Sequence, residues 1–245
     1  MLKLFYTRIE EAINQKEKFL NLSLSRDRNQ AVTKFRFLED KLRSILAELL
    51  ITHSLNESFD NNINEFVISK NCYGKPLVTN FDNVYFNVSH SENFVICAAS
   101  DGNVGIDIEK IGLSSPLNAE NFFHEYEVEQ LSMRTEELKK ELFYKIWVLK
   151  ESYLKFKGFG LTMPLNSFFV KENEGRFIVT ETNKTNNCST NLIKLKKIDV
   201  DYYLGICAES SEIDDLKYVS VDDLFLNYSE SHLKPIYVST ERKSQ

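Results

Sequence analysis

The chain has 245 residues, 42% hydrophobic and 27% charged. That suits one large globular domain or two packed halves and excludes disordered and collagen-like architectures. Its 30 Lys and Arg against 36 Asp and Glu give a formal charge of −6, so the basic footprint of a nucleic-acid or anionic-membrane binder is missing and an anionic ligand needs a local basic site. Cys72, Cys97, Cys188 and Cys207 form no C-x-x-C pair, which argues against a zinc site and a disulfide scaffold and for reduced thiols. Charge enters the N-terminus within its first residues, and no stretch reaches the ~18 apolar residues of a membrane span. A cytoplasmic protein with no nucleic-acid and no membrane partner is expected.

In chain order, a strand is predicted over Leu2 to Tyr6, then a charged helical pattern through Leu20. From Arg28 to Leu50 the residues Phe35, Leu38, Leu42, Ile45, Leu46 and Leu49 recur at helical spacing, predicting one amphipathic helix with basic shoulders. A turn is predicted at Tyr73-Gly74-Lys75-Pro76. Strands follow at 84–88 and 94–99, with His90 in the turn between them, and a third at 104–108, entered through Asp101-Gly102-Asn103 and expected to form a hairpin. Helical patterns cover 121–134 and 136–157, and the remainder reads as short strands. Ile96-Cys97-Ala98-Ala99-Ser100 returns 110 residues later as Ile206-Cys207-Ala208-Glu209-Ser210, as a duplicated α+β unit would give. The polar end, Thr240 to Gln245, is expected to be disordered.

Asp107 and Glu109 lie at i and i+2 of a predicted strand and share a face, with Ile106 and Ile108 opposite. Such a pair suits Mg²⁺, which takes one or two carboxylates and completes its sphere with water and phosphate oxygens. A solvated face of an edge strand would read the same way. Glu151 and Lys155, at i and i+4 of a helix apolar on nearly every side, present a carboxylate and an ammonium together, or form an ordinary surface pair. His90 can donate to an anion, although a lone histidine is commonly structural. Lys75 reads equally as a turn residue.

In order, Tyr73-Gly74-Lys75-Pro76, Phe86-Asn87-Val88-Ser89-His90-Ser91, Val104-Gly105-Ile106-Asp107-Ile108-Glu109-Lys110 and Trp147-Val148-Leu149-Lys150-Glu151-Ser152-Tyr153-Leu154-Lys155 resemble the signatures of the surfactin-synthetase type of 4′-phosphopantetheinyl transferase. The D-x-E strand joined to a downstream W-x-x-K-E-S-x-x-K helix is the specific part. The resemblance implies an α+β fold of two similar halves packed as a pseudo-dimer, with coenzyme A in the cleft between them. It also implies transfer of phosphopantetheine to a serine of an apo acyl or peptidyl carrier protein, releasing adenosine 3′,5′-bisphosphate. The halves are expected at 1–103, on the nucleotide side, and 104–245, with the metal site and catalytic helix.

By the same resemblance Asp107, Glu109 and Glu151 hold Mg²⁺, His90 and Lys155 contact the diphosphate, and Lys150 assists. Glu151 is also the candidate base toward the serine, directly or through a water. Lys75 and Pro76 fall beside the adenine, Ser89 belongs to the coenzyme-binding motif, and Arg28, Arg43 and Ser44 fall near the phosphates. Relatives carry a further lysine where this chain has Ala31, so the 3′-phosphate is held less firmly or by Lys34. Two other readings are a Mg²⁺-dependent diphosphate hydrolase and a non-catalytic carrier-protein or coenzyme A binding module. The motif order argues against the first, and the presence of Glu151 and Lys155 argues against the second.

Because one chain supplies both halves of such a site, a catalytically complete monomer with one coenzyme A per chain is expected. Its specific activity stays flat on dilution. Sedimentation showing an obligate oligomer, or a titration well below one coenzyme per chain, would refute this.

Overall fold

The computed structural model describes residues 1–59, 65–112, 119–182, 192–209, 212–230 and 234–238. The elements are β1 (Leu2–Arg8), α1 (Ile9–Asn14), α2 (Lys16–Leu20), α3 (Arg26–Lys34), α4 (Leu38–Ser58), β2 (Val67–Lys70), β3 (Pro76–Val78), β4 (Tyr85–Ser91), β5 (Phe94–Ser100) and β6 (Val104–Lys110). After these come α5 (Ala119–Phe122), α6 (Glu125–Ser132), α7 (Glu136–Lys157), β7 (Phe168–Asn173), β8 (Arg176–Glu181), β9 (Leu192–Asp199), β10 (Tyr202–Ala208), β11 (Ile213–Tyr218), α8 (Val221–Glu230) and β12 (Ile236–Tyr237). Among the described residues no helix is long and apolar enough to cross a membrane.

Two sheets lie face to face, ordered β11-β1-β5-β4 and β6-β10-β9. Strand alternation sends Leu4, Phe94, Ile96 and Ala98 of the first against Ile106, Ile108, Leu204 and Ile206 of the second. The outer faces receive the long helices. Cys97 belongs to the core that α4 covers and Cys207 to the core that α7 covers, each on the central strand of its sheet. The repeated sequence is therefore a repeated packing position, and the layers run α4, sheet, sheet, α7. Segments from the range 104–245 return to elements of the range 1–103: β11 pairs in parallel with β1 of the first sheet, α8 packs on α4, and β12 pairs with β2 in a separate small sheet, β12-β2-β3.

Five expectations need correction. The single helix over 28–50 is two, because Phe35 and Phe37 are extended. Twenty residues of straight helix would put Arg28 about 30 Å from Glu48, whereas the break folds Arg28 back onto it. His90 sits within β4, the reversal falling just past the end of the strand at Glu92, whose φ is 46°. β5 and β6 form no hairpin, since both edges of β5 are taken by β1 and β4, so β6 enters the other sheet. The tail holds a helix, α8, whose start was legible: Ser220 and Asp223 bond reciprocally in an S-x-x-D cap. Residues 121–134 are interrupted at His124, which caps α6 in a box with Glu127. Ser210 and Cys188 lie outside the described residues, as do 240–245, where disorder was expected.

α7 lies unusually close on its sheet. A Cβ on Gly105 would stand 2.2 Å from both the Ser152 carbonyl oxygen and the Phe156 nitrogen, and one on Gly205 would stand 2.2 Å from the Val148 carbonyl oxygen. Gly105→Ala is therefore expected to cost about 1–3 kcal/mol through overpacking and to lower transfer activity by pushing α7 off β6. Urea unfolding checks the first effect, and an unchanged midpoint would refute the close seat.

Candidate active site

The seating of α7 brings Glu151 and Lys155 against the Asp107 face of β6. Lys155 Nζ donates to Asp107 Oδ1 at 2.7 Å and to Ser89 Oγ at 3.0 Å. Ser89 in turn donates to Asp107 Oδ1 at 3.1 Å. The free edge of β6 is met by side chains of β4: the amides of Ile106, Ile108 and Lys110 donate to Asn87 Oδ1, Ser89 Oγ and Ser91 Oγ. The alternating polar residues of β4 thus take the place of a backbone ladder and fix the D-x-E strand against the N-x-S-H-S strand.

Asp107 is buried, and its Oδ2 has no hydrogen-bond partner among the described residues. Burial pushes its carboxyl up while Lys155 opposes the shift. Glu109 accepts from Ser91 Oγ at 2.9 Å; burial, then the charge of Asp107, pushes it up to about 7. Glu151 makes no hydrogen bond among the described residues and is pushed up by burial and by Asp107. His90 shares its strand face with Val88, which lines the cleft beside Glu151, Lys155 and Pro76. The ring has an exposed edge but stands in crowded surroundings; desolvation lowers its pKa, followed by the charges of Lys155 and Arg43.

The structure separates the other expected residues. Lys75 and Pro76 line the cleft, a space of about 290 Å³, but the Lys75 ammonium turns inward to Asn103 Oδ1 and the carbonyls of Val104 and Phe156. Burial lowers its pKa to about 8. Arg28 donates to Ser44 Oγ at 3.2 Å and pairs with buried Glu48. Arg43 pairs with Asp40 and donates to the Glu92 carbonyl. Lys150 is a correction: it is fully buried on another side of α7, 2.6 Å from Glu127 Oε2 and 2.6 Å from the Phe168 carbonyl. It holds α6 and β7 to α7 and does not reach the cleft. Sequence reasoning also missed Glu48, Asn87, Ser91 and Glu127. Only the i, i+2, i+4 polar run of β4 gave a signal in advance.

An acidic cluster beside a fixed ammonium thus stands at the junction of the two sheets. Residues 103–207 match the 4′-phosphopantetheinyl transferase superfamily, and residues 12–102 match the 4′-phosphopantetheinyl transferase N-terminal family. The chain is 35% identical over 185 residues to 4′-phosphopantetheinyl transferase gsp of Aneurinibacillus migulanus, covering 75% of this chain and 77% of that protein. It is 30% identical to 4′-phosphopantetheinyl transferase ffp of Bacillus subtilis and 28% identical to Sfp of Bacillus subtilis strain 168, each match covering 91% of this chain and all of the relative. The chain belongs to the 4′-phosphopantetheinyl transferase family, enzymes that move phosphopantetheine from coenzyme A to carrier proteins.

The buried pair yields a prediction. Lys150→Met, which strands the Glu127 charge, is expected to cost about 3–5 kcal/mol, and adding Glu127→Gln should recover part of it. Urea unfolding of the two variants decides: a double variant no more stable than Lys150→Met would show that the pair is not coupled.

Proposed function

We propose that this cleft carries a Mg²⁺-dependent transfer of 4′-phosphopantetheine from coenzyme A to a serine of an apo acyl or peptidyl carrier protein, with release of adenosine 3′,5′-bisphosphate. The observation that carries the reading is the carboxyl cluster. Asp107 Oδ2 is buried and unpartnered among the described residues, and burial with the nearby charge of Asp107 holds Glu109 and Glu151 above the ordinary carboxylate range. That donor set fits a hard divalent cation. Among the described residues no three such side chains stand as a ready-made metal-binding group, so water and phosphate oxygens would have to complete the sphere, as Mg²⁺ prefers. Asp107, Glu109 and Glu151 would hold it, and when bound it would supply Lewis-acid charge at the diphosphate.

The chain's own groups then divide the work. Glu151, at the cleft wall and free of hydrogen bonds among the described residues, takes the proton from the serine hydroxyl. The serine oxygen forms its bond to the phosphopantetheinyl phosphorus as the bond to the bridging oxygen breaks. The electron pair leaves with the adenosine bisphosphate. Lys155, fixed by Asp107 and Ser89, stabilises that developing charge. His90 meets the diphosphate from the β4 side, next to Arg43. The nucleotide runs past Lys75 and Pro76 toward Arg28 and Ser44, so residues 1–103 serve the nucleotide and residues 104–245 supply the carboxylates and α7. A monomeric, cytoplasmic enzyme completes the reading, supported by the cleft that one chain builds from both ranges and by the unbridged Cys72, Cys97 and Cys207.

Intact-mass analysis of an apo carrier incubated with coenzyme A and Mg²⁺ tests the proposal, because a hydrolase or a binding module leaves the carrier mass unchanged. Asp107→Ala is expected to abolish the added mass, and near-normal transfer with Mg²⁺ present would remove Asp107 from the site. Lys155→Ala should lower kcat at least as strongly as it raises KM for coenzyme A, whereas a change confined to KM would make Lys155 a ground-state anchor.

A further inference from the structure

The cleft has walls from both ranges of the chain: Tyr73, Lys75 and Pro76 stand on one side, and Glu151, Lys155 and Gly158 on the other. What joins them is a turn. Between β2 and β3 the chain reverses over residues 71–75. The Asn71 amide donates to the Lys75 carbonyl at 2.9 Å, the Gly74 amide donates to the Asn71 carbonyl at 3.0 Å, and Gly74 takes a φ of 93°. Asn71 Oδ1 accepts from the amides of Tyr73 and Lys75, each at 2.9 Å, so the side-chain acceptor shapes the turn. The other end of the same amide points out of it. Asn71 Nδ2 donates to the Gly158 carbonyl at 2.9 Å, 87 residues along the chain.

That bond reaches the end of the helix that carries Lys155. The last carbonyls of a helix have no partner within it, so its final turn frays unless groups outside answer them. Here residues of the range 71–103 answer: the Phe156 carbonyl accepts from Lys75 Nζ at 3.2 Å and from Asn103 Nδ2 at 2.8 Å, and the Gly158 carbonyl accepts from Asn71. The Lys75 ammonium is also a positive charge at a helix C-terminus, where the dipole favours one. The seat is close, since a Cβ on Gly158 would stand 3.2 Å from Asn71 Nδ2 and 3.2 Å from Lys75 Cδ. Tyr73 and Phe159 add an edge-to-face contact, with ring centroids 5.5 Å apart. Lys155 lies in this same last turn, with its ammonium on Asp107 and Ser89.

We propose that Asn71 is a positioning residue: by tying the 71–75 turn to the Gly158 carbonyl it fixes the last turn of α7 and so sets where Lys155 stands at the diphosphate. The inference rests on the reading of Lys155 as the group that stabilises charge on the leaving nucleotide. It gives the two ends of one amide separate tasks, the acceptor shaping the turn and the donor holding the helix. A displacement of about 1 Å at a reacting group costs up to roughly a hundredfold in rate. Loss of the tie therefore falls on kcat, whereas loss of the turn's shape would fall on the binding of coenzyme A.

Asn71→Asp separates the two tasks, because it keeps the acceptor for Tyr73 and Lys75 and removes only the donor to Gly158. Asn71→Ser, whose shorter side chain keeps an acceptor but does not span to Gly158, is the second variant, and a thermal melt verifies that each is folded. Transfer to one apo carrier is timed for the wild type, each Asn71 variant, Lys155→Ala and the double variants. Each Asn71 variant is expected to lower kcat about tenfold with KM for coenzyme A held within about twofold. In the Lys155→Ala background the same substitution should change kcat by less than about twofold, because the group it positions is gone. Acetic anhydride labelling with peptide mass analysis reads the effect without turnover: Lys155 is expected to react several-fold faster in the Asn71 variants. A rise in KM alone, an equal loss of kcat with and without Lys155, or unchanged labelling of Lys155 would overturn the proposal and leave Asn71 a turn residue. If Lys155→Ala keeps the wild-type kcat, the reading of Lys155 fails instead, and the labelling alone decides whether Asn71 places that side chain.

Discussion

The contact on which the site depends is backbone against backbone, where α7 rests on β6 and β10 at Gly105 and Gly205. Hypothetical Cβ atoms there would stand 2.2 Å from the helix backbone, so only glycine permits the approach. Lys155 reaches Asp107 at 2.7 Å because the helix is this near, and Glu151, one turn earlier, shares the same side. The helix is held in its place by ends that suit its dipole: Glu136 and Glu137 in the first turn, Lys155 and Lys157 in the last, and Gly158 in the left-handed conformation beyond.

The second constraint is the side-chain stitch between sheets. A β-edge left open inside a protein would carry unpaired amides. Asn87, Ser89 and Ser91 answer three of them, and two of the same three residues also touch the acids, Ser89 at Asp107 and Ser91 at Glu109. The groups that join the halves are therefore also the groups that orient the carboxylates. Loss of the junction and loss of the site would be one event.

Each half also contains a buried carboxylate at the centre of its own hydrogen-bond network. Glu48 on α4 fastens α3 and α8; Glu127 on α6 accepts from the Val170 amide and from Lys150, tying α6 to α7 and β7. Buried pairs of this kind add little net stability over apolar packing but penalise any arrangement that breaks them. Here they set the orientation of two helices, α3 with Arg28 and α7 with Glu151 and Lys155.

By itself the sequence determined the strands around the D-x-E motif, the helix over 136–157, the α+β class and the repeat centred on Cys97 and Cys207, because these depend on local periodicity and on residue types. It also marked Asp107, Glu109, Glu151, Lys155 and His90, through a motif order that needs no coordinates. Tertiary structure decided the rest. Lys150 and Glu151 are neighbours in one motif, yet one is sealed against Glu127 and the other faces the cleft, since successive helical residues point about 100° apart. Only the packing of α6 and β7 says which direction is inside. The break at Phe35 to Phe37, the separation of β5 from β6 and the return of β12 beside β2 likewise answer to distant partners. A buried Glu48, a saturated central strand and an open strand edge are conditions that no local stretch of chain contains.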